Sequence, residues 1–327
     1  MSDKLMLKNE KGLIQIEKGG RRMKAVLMVG HGSRDAEGND QVRQFIENLK
    51  LQLDSSLLME TCFLEFESPN VNQGIDACVQ QGASHVVVIP IMLLPAGHSK
   101  IHIPAAIDEA KEKYPHVRFT YGRPIGIHEE TLEICQTRLE EIGENVHEPD
   151  PDTAIVFLGR GGSDPDANSD LYKITRLLWE KLNYKIIEPA FMGVTDPLVR
   201  EGVERCIKLG AKKIIILPYF LFTGILINRL EDVVKELEQT YPEHEFKLAG
   251  YFGFHPGLQT VLKDRIDEAL QGEVKMNCDT CQYRINAMEF IDHHHHHDHD
   301  HGHGHHHHHH HDHDHHHSHG NEVQKAK

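Results

Sequence analysis

The sequence contains an internal repeat with a spacing of 127 to 128 residues, and this repeat restricts the possible folds more than any other feature. The segment GASHVVVIP, which ends at Pro90, returns as GAKKIIILP, which ends at Pro218. The dipeptide Tyr-Pro at 114–115 returns at 241–242, and GIH at 126–128 returns as GFH at 253–255. A repeat of this length predicts two similar domains that arose by duplication.

Each half alternates short apolar runs with longer amphipathic runs. The strands expected in the first half are Lys24–Val29, Leu57–Phe66, Ser84–Ile91 and Val117–Tyr121, with helices between them such as Ala36–Leu53 and Val71–Gln81. Those expected in the second half are Ala154–Leu158, Tyr184–Phe191, Lys212–Leu217 and Glu245–Tyr251. Strands that alternate with helices indicate βαβ units. We therefore predict an α/β fold of two domains, each a parallel sheet flanked by helices.

The repeat and the local composition also suggest domain boundaries. The polar segment 143–152, which contains Pro149 and Pro151, is typical of a linker. The expected order is a polar leader (1–22), a first domain (23–142), the linker (143–152), a second domain (153–272), a Cys-containing segment (273–291) and a His-rich tail (292–327). Met23 is an alternative start of the chain.

Composition excludes several classes of protein. A net charge of −15 argues against nucleic-acid binding, which requires a basic surface. No apolar run approaches the roughly 20 residues that cross a bilayer, and the first residues lack the apolar core of a signal peptide. We expect a cytoplasmic protein without a membrane partner. In that compartment its six cysteines are thiols or metal ligands rather than disulfides.

Comparison of the two halves separates architecture from chemistry. His128 and His255 occur in both halves, each before an expected helix, which indicates a structural role. Three polar residues occur in the first half alone. His31 in VGHGSR aligns with Arg160, Glu65 in FLEFESP aligns with Gly193, and His98 in LLPAGHSK aligns with Ile225.

These one-sided residues follow three expected strands, whose carboxyl ends meet at one edge of a parallel sheet. Two imidazoles and a carboxylate at that edge suit a divalent transition metal. Each residue alone is equally well interpreted as part of a surface loop. Two or three ligands leave a metal site open, as in catalytic sites. Flanking glycines at 30, 32 and 97 suggest that the metal passes to a large flat partner.

VGHGSR after the first strand, LLPAGH after the third and the duplicated layout resemble the sirohydrochlorin chelatases in their long His-rich form, over about residues 24–276. The resemblance implies a metal-inserting lyase that places Co²⁺ in sirohydrochlorin, on the anaerobic route to cobalamin. Iron for siroheme is the alternative, and a metal-storage protein or metallochaperone is an alternative of another class. His31 and His98 match the metal-handling residues. Glu65 matches a catalytic carboxylate near the macrocycle, although Glu67 would point to the same strand face.

The resemblance also suggests where the macrocycle binds. The expected contacts are Gly32, Ser33, Glu65, Leu93, Leu94, Pro95, Ala96 and Gly97. Glycines would give the macrocycle room, and backbone N–H groups at 32–33 and 97–99 would anchor its carboxylates. Arg34 and Lys100 either add charge pairing or are ordinary loop charges. The expected partners are sirohydrochlorin and divalent metal ions, and a homodimer is left open.

The segment MNCDTC carries Cys278 and Cys281. A lone Cys-x-x-Cys pair fits a redox pair, half of a zinc site or part of an iron–sulfur site. The resemblance favours a [4Fe–4S] cluster, which needs about four ligands.

The His-rich tail holds 20 of the 29 histidines, between His293 and His319. It has too few apolar residues to form a core, and we expect it to be disordered. Its imidazoles and carboxylates would bind additional divalent metals and hold them near the active site.

Overall fold

The computed structural model describes residues 4–9, 12–17 and 23–272, without the side chains of residues 4–17 and of His98. All described residues belong to one compact unit, Met1–Ile285. None of the described helices is long and apolar enough to cross a bilayer.

Two paired strands lie within residues 4–17, in the segment that the sequence predicts to be a polar leader. Strand β1 (Lys4–Asn9) pairs antiparallel with β2 (Gly12–Glu17), and Lys4 lies opposite Glu17. The segments KLMLKN and GLIQIE both have apolar residues suited to strands, and the two polar residues Glu10 and Lys11 separate them in the sequence.

The first half contains one parallel sheet with the strand order β4-β3-β5-β6. Its elements are β3 (Met23–Gly30), α1 (Ala36–Lys50), β4 (Leu58–Phe63), α2 (Val71–Gln80), β5 (Ala83–Pro90), a π-helical turn (His98–His102), α3 (Ile103–Lys113), β6 (Arg118–Tyr121) and α4 (Glu129–Glu141).

The second half repeats this order as β8-β7-β9-β10, again parallel. Its elements are β7 (Thr153–Gly159), α5 (Pro165–Lys181), β8 (Ile186–Phe191), α6 (Val199–Lys208), β9 (Lys213–Pro218), α7 (Ile225–Thr240), β10 (Glu245–Leu248) and α8 (Pro256–Gln271). The predicted α/β fold of two similar halves is therefore confirmed.

Both sheets are covered on both faces, which explains the continuous apolar strands. Every residue from Ala25 to Val29 in β3 is fully buried, as is every residue from Ala154 to Leu158 in β7. Helices on the two faces of a parallel sheet leave no face for polar side chains. The apolar runs that predicted the strands are a direct consequence of this burial.

The predicted structural role of the two repeated histidines is confirmed. His128 precedes α4, and its Nδ1 accepts a hydrogen bond from Glu130 N at 3.2 Å. His255 precedes α8, and its Nδ1 accepts from Gly257 N at 3.1 Å. Each imidazole therefore caps the first turn of a helix, where backbone N–H groups lack partners within the helix.

The final helix of each half packs across the boundary between the halves. Helix α8 contacts β5, β6 and α4 of the first half, and α4 contacts α5 and β9 of the second. One hydrophobic core contains buried residues from both sheets, among them Met28, Ile89, Phe157 and Leu262. Although the sequence suggests two separate domains, their cores are partly shared.

A cluster of charged residues adds to the contacts between α8 and the first half. Arg265 of α8 is 2% exposed and donates hydrogen bonds to the carbonyls of Pro124 and Ile125 in the first half. Its guanidinium lies 3.0 Å from Glu268, which also binds Arg123 at 2.9 Å. The single carboxylate of Glu268 therefore accepts hydrogen bonds from both guanidinium groups.

Candidate functional site

The loops after β3, β4 and β5 meet at one edge of the first sheet. Strand β3 lies between β4 and β5, so the chain leaves it to one side first and to the other side afterwards. Such a reversal of strand order opens a crevice at the carboxyl ends of the strands, where α/β proteins bind ligands. His31 follows β3 directly, and Glu65 lies two residues beyond β4.

The His31 side chain contacts groups on both of its ring nitrogens. Nδ1 lies 3.1 Å from the Gly32 carbonyl oxygen and 3.4 Å from Glu65 Oε1. On the other side, Arg160 Nη1 donates to Nε2 at 3.2 Å. A guanidinium can only donate, so Nε2 is the acceptor and the ring hydrogen lies on Nδ1. The imidazole is thus held in one tautomer between a carboxylate and a cation.

Arg160 belongs to the second half and aligns with His31 in the repeat. The sequence comparison had identified this position only as one that lacks the histidine. In the structure the two equivalent residues face each other across the crevice. The alignment of VGHGSR with LGRGGS was the feature of the sequence that could have indicated this contact, since equivalent strand ends of two paired halves can meet.

The His31 loop is held in place by Asn39 of α1. Ser33 N donates to Asn39 Oδ1 at 2.8 Å, and Asn39 Nδ2 donates to Ser33 O at 2.8 Å and to Glu67 Oε2 at 2.9 Å. Asn39 is 2% exposed, so this amide is a rigid link between the two loops. The Ser33 N–H is therefore already occupied, whereas we had expected it to anchor a substrate carboxylate.

Gly32 is required for backbone reasons rather than for ligand space. Its φ is +86°, and a Cβ there would lie 1.8 Å from the carbonyl oxygen of Glu65. Gly161, the equivalent residue, has φ +81° and would meet Gly193 O at 2.0 Å. The close approach of these loops thus recurs in both halves. At Gly97, by contrast, a Cβ would have nothing within 4 Å.

Glu67, the alternative to Glu65, is occupied elsewhere. Its Oε1 accepts from Ser68 N at 3.0 Å and lies 2.7 Å from Arg43 Nη2. The Ser68 hydrogen bond is the largest of the influences that lower the pKa of the Glu67 carboxyl, and Arg43 and Asn39 add to it. Strand β4 ends at Phe63, three residues before the predicted end, and Phe66 adopts a positive φ of 63°. The strand alternation that linked Glu67 with Glu65 is lost in this turn.

His31 opens on a cleft of about 530 Å³ that both halves line. From the predicted substrate-binding set, the structure places Gly32, Ser33, Leu93, Leu94 and Ala96 in the wall. Glu65, Pro95 and Gly97 are not among the residues that line it, although Glu65 contacts His31 from behind. The cleft is large enough for a small-molecule ligand.

The second half contributes a wall that we did not predict. The segment that follows β9 supplies the lining residues Tyr219, Phe220, Leu221, Phe222, Thr223, Gly224, Ile225, Leu226 and Ile227. It is the counterpart of the LLPAGH segment in the repeat. Its strongly apolar sequence, YFLFTGILI, was the feature from which an apolar wall could have been predicted.

Two basic residues near the cleft have defined contacts. Lys100 Nζ binds Asp164 at 2.8 Å and Asp166 at 2.9 Å, both in the second half. The hydrogen bond to Asp164, followed by that to Asp166, raises the pKa of Lys100. The Arg34 guanidinium lies 4.9 Å from the centre of the Phe66 ring. Lys100 therefore bridges the halves, whereas Arg34 stacks at the rim of the cleft.

The other predicted metal and cluster ligands have side chains outside the described part of the structure. His98 is the first residue of the π-helical turn, but its side chain lies outside the described part. The described side chains contain no group of three that could hold a metal ion. Cys278, Cys281 and the His-rich tail also lie outside the described residues. The described cysteines, Cys62, Cys78, Cys135 and Cys206, are all buried in the cores and do not fit as further cluster ligands.

Comparison with known proteins agrees with this arrangement. The CbiX family model matches residues 25–142 and 154–269, one match in each half. A sirohydrochlorin cobaltochelatase from Priestia megaterium is 73% identical over 84% of this chain and 90% of its own length. A sirohydrochlorin ferrochelatase from the same organism is 39% identical over 77% of this chain and 92% of its own length.

A solved structure shares the fold. The sirohydrochlorin chelatase SirB from Bacillus subtilis subspecies spizizenii, crystallised in complex with cobalt, is 33% identical and has a TM-score of 0.65. The match covers 76% of this chain and 96% of that chain. From the duplicated sheets, the paired family matches and these relatives, we conclude that the chain belongs to the CbiX family.

Proposed function

We propose that this protein is a sirohydrochlorin cobaltochelatase, a lyase that inserts Co²⁺ into sirohydrochlorin. The observation that carries the proposal is the His31–Glu65 pair, 3.4 Å apart at a reversal of strand order, which opens on the 530 Å³ cleft. The relative that is 73% identical bears this name. Iron remains the alternative substrate metal, because imidazole binds both metals and a ferrochelatase is 39% identical.

The chemistry requires a metal ligand that can also accept a proton. As Co²⁺ enters the macrocycle, two pyrrole N–H groups lose their protons, so two protons are released for each metal inserted. His31 Nε2 binds the incoming ion or accepts a pyrrole proton. Glu65, next to Nδ1, accepts the proton that the imidazole then gives up. The side chain of His98 supplies a second nitrogen ligand to the metal in this proposal.

The cleft suits a flat macrocycle. Leu93 and Leu94 from the first half and Phe222 and Leu226 from the second half offer apolar surface. Burial of apolar area drives binding of the tetrapyrrole faces, while the few polar groups fix its orientation.

The sequence-based proposals for the C-terminal residues are separate from this site. Cys278 and Cys281 would supply two ligands of a [4Fe–4S] cluster, completed by donors outside the described residues. The tail would bind additional divalent metals. The insertion chemistry proposed for His31 and Glu65 depends on neither.

The proposal is tested by mixing the protein, sirohydrochlorin and Co²⁺ under anaerobic conditions and following the absorption change of the macrocycle. We expect insertion well above the uncatalysed rate, and a loss of about 100-fold or more in His31→Ala, the usual contribution of a catalytic acid or base. His116→Ala, which removes an exposed histidine outside the cleft, is the matched control. Parallel reactions with Fe²⁺ compare the two metals.

Two outcomes would count against the proposal. A protein that only stores or carries metal would bind Co²⁺ without accelerating the absorption change. Equal rates for His31→Ala and the unaltered chain would remove His31 from the chemistry.

A further inference from the structure

Arg160 donates a hydrogen bond to His31 Nε2, the ring nitrogen that the proposed function assigns to the metal or the pyrrole proton. His31 Nδ1 faces the Gly32 carbonyl and Glu65, which leaves Nε2 as the ring nitrogen on the Arg160 side. The lone pair of Nε2 accepts the hydrogen bond from Arg160 Nη1 at 3.2 Å. While this bond exists, the lone pair is used and a positive charge lies beside it. A second cation is therefore disfavoured at Nε2.

Arg160 has no carboxylate to compensate its charge among the described residues. Among those residues, it donates a hydrogen bond to the imidazole of His31. Lys100, by comparison, is held by both Asp164 and Asp166. A guanidinium carries five N–H donors in a planar fork that matches a carboxylate with two parallel bonds. A carboxylate in the cleft would therefore bind Arg160 more strongly than the imidazole does.

The position of Arg160 limits what that carboxylate can be. The guanidinium lines the cleft together with apolar residues of both halves, among them Leu94, Phe222 and Leu226. A ligand that suits this wall combines apolar faces with acidic groups at its edge. A tetrapyrrole with peripheral carboxylates has both features.

We propose that Arg160 binds a carboxylate of the tetrapyrrole and, in doing so, leaves His31 Nε2, so that macrocycle binding makes this nitrogen available to the metal. This inference rests on the proposed function and deepens it. It assigns Arg160 as a substrate-binding and positioning residue contributed by the half that lacks the histidine. It also sets an order of binding, in which the macrocycle precedes metal capture at His31.

The first test measures macrocycle binding in the absence of metal, through the fluorescence of sirohydrochlorin titrated with the full-length protein. Arg160→Gln removes the charge and keeps a polar side chain of moderate size. We expect binding about tenfold weaker, the usual effect of losing one charge-assisted hydrogen bond. Arg160→Lys, which keeps the charge without the fork, is expected to recover part of the affinity.

The matched control is Arg200→Gln. It removes one positive charge from α6 of the same half, where Arg200 pairs with Glu236 away from the cleft. We expect its macrocycle affinity to equal that of the unaltered chain. Any loss shared by the two glutamine variants would be an effect of net charge and would contradict the role of Arg160.

The second test separates the two substrates by steady-state kinetics of Co²⁺ insertion. In Arg160→Gln we expect the KM for sirohydrochlorin to rise about tenfold. The KM for Co²⁺ should fall, because a positive charge no longer lies beside His31 Nε2. A merely structural role would instead lower kcat and leave the ratio of the two KM values unchanged. That pattern would overturn the inference.

The outcomes also separate the inference from the proposed function. If the unaltered protein binds sirohydrochlorin through Arg160 but inserts no metal, the proposed enzyme activity is wrong and the role of Arg160 in binding the macrocycle is retained. If insertion is efficient and Arg160→Gln binds the macrocycle as well as the unaltered chain does, only the role of Arg160 is wrong. A chain that neither binds nor metallates sirohydrochlorin would overturn both.

Discussion

Glu65 and Glu67 lie two residues apart in the loop after β4, and their carboxylates contact different groups. Glu65 faces His31, whereas Glu67 is bound by Arg43, Asn39 and the backbone of Ser68. Glu65 is therefore the carboxylate beside the imidazole, whereas Glu67 holds the loop in place. Sequence spacing alone could not distinguish them, since both would lie on one face of a regular strand.

This difference predicts different effects of the same substitution. Glu65→Gln removes the proposed proton acceptor and should lower the rate of Co²⁺ insertion by about 100-fold. Glu67→Gln should keep a rate near that of the unaltered chain and lower the melting temperature instead. Insertion rates and thermal unfolding of both variants check this, and the reverse result would make Glu67 the relay.

Gly32 gives a second prediction at this scale. Gly32→Ala must adopt a left-handed φ and place a Cβ against the carbonyl of Glu65, so we expect at least about 2 kcal/mol of destabilisation. Gly97→Ala, which adds its methyl to open space, should change the free energy of unfolding by less than about 0.5 kcal/mol. Urea unfolding of both variants measures the contrast. Equal losses would mean that backbone strain at Gly32 is not the cause.

Part of the site was accessible from the sequence. His31 and Glu65 were predicted to be neighbours because parallel strands end at one edge, and their distance agrees with that expectation. Arg160 and the apolar wall after β9 were not predicted. Their placement depends on how the two halves face each other, and local periodicity contains no information about that arrangement.

At the scale of elements, the apolar runs located the strands well and their ends less well. Strands such as β3 and β5 were predicted to within a residue at each end. The predicted strands that extended to Phe66 and Tyr251 end earlier, at Phe63 and Leu248. Apolar composition continues into both loops, where Phe66 lines the cleft and Ala249 packs into the core instead of joining a strand. Hydrophobicity marks burial and does not by itself mark hydrogen bonding to a neighbouring strand.

The histidine caps of α4 and α8 predict a pH dependence of stability. Burial is the main reason that the pKa of His128 and of His255 lies below its ordinary value, with a further contribution from a nearby arginine in each case. The unfolded chain therefore binds more protons as the pH falls through about 6.5, and the free energy of unfolding decreases. Protonation of Nδ1 also removes the cap.

Asparagine caps a helix without titrating in this range. The double variant His128→Asn, His255→Asn should therefore show a shallower fall in melting temperature between pH 7 and pH 5 than the unaltered chain. Calorimetry across that interval makes the comparison, and all other histidines are present in both proteins. Identical slopes would show that these two imidazoles do not control acid stability.

At the scale of the whole molecule, the most important contacts are those that α4 and α8 make across the boundary between the halves. Helix α4 of the first half contacts the second half, and α8 of the second half contacts the first. Arg265 of α8 is buried against backbone carbonyls of the first half. These contacts join residues more than 100 positions apart, such as Arg265 and Ile125. The repeat could predict two similar sheets, but it could not predict that the halves complete each other's cores.

A shared core predicts that the halves unfold together. Leu27→Ala, at a fully buried position in a first-half cluster, should destabilise the protein by about 3 kcal/mol. Trp179, the single tryptophan, lies in α5 of the second half. In Leu27→Ala, the denaturant midpoint followed by tryptophan fluorescence should fall by as much as the midpoint followed by far-UV circular dichroism. A tryptophan transition that stays in place would indicate independent halves.

The pairing of His31 with Arg160 has a consequence for how such a cleft can arise. Two identical chains of half this length, joined about a twofold axis, would present the same residue at both equivalent positions. Covalent fusion removes that constraint, so one copy can carry a side chain suited to cations and the other a side chain suited to anions. A tandem chain can therefore place an imidazole on one wall of the cleft and a guanidinium at the equivalent position of the other wall. A symmetric pair of identical chains cannot.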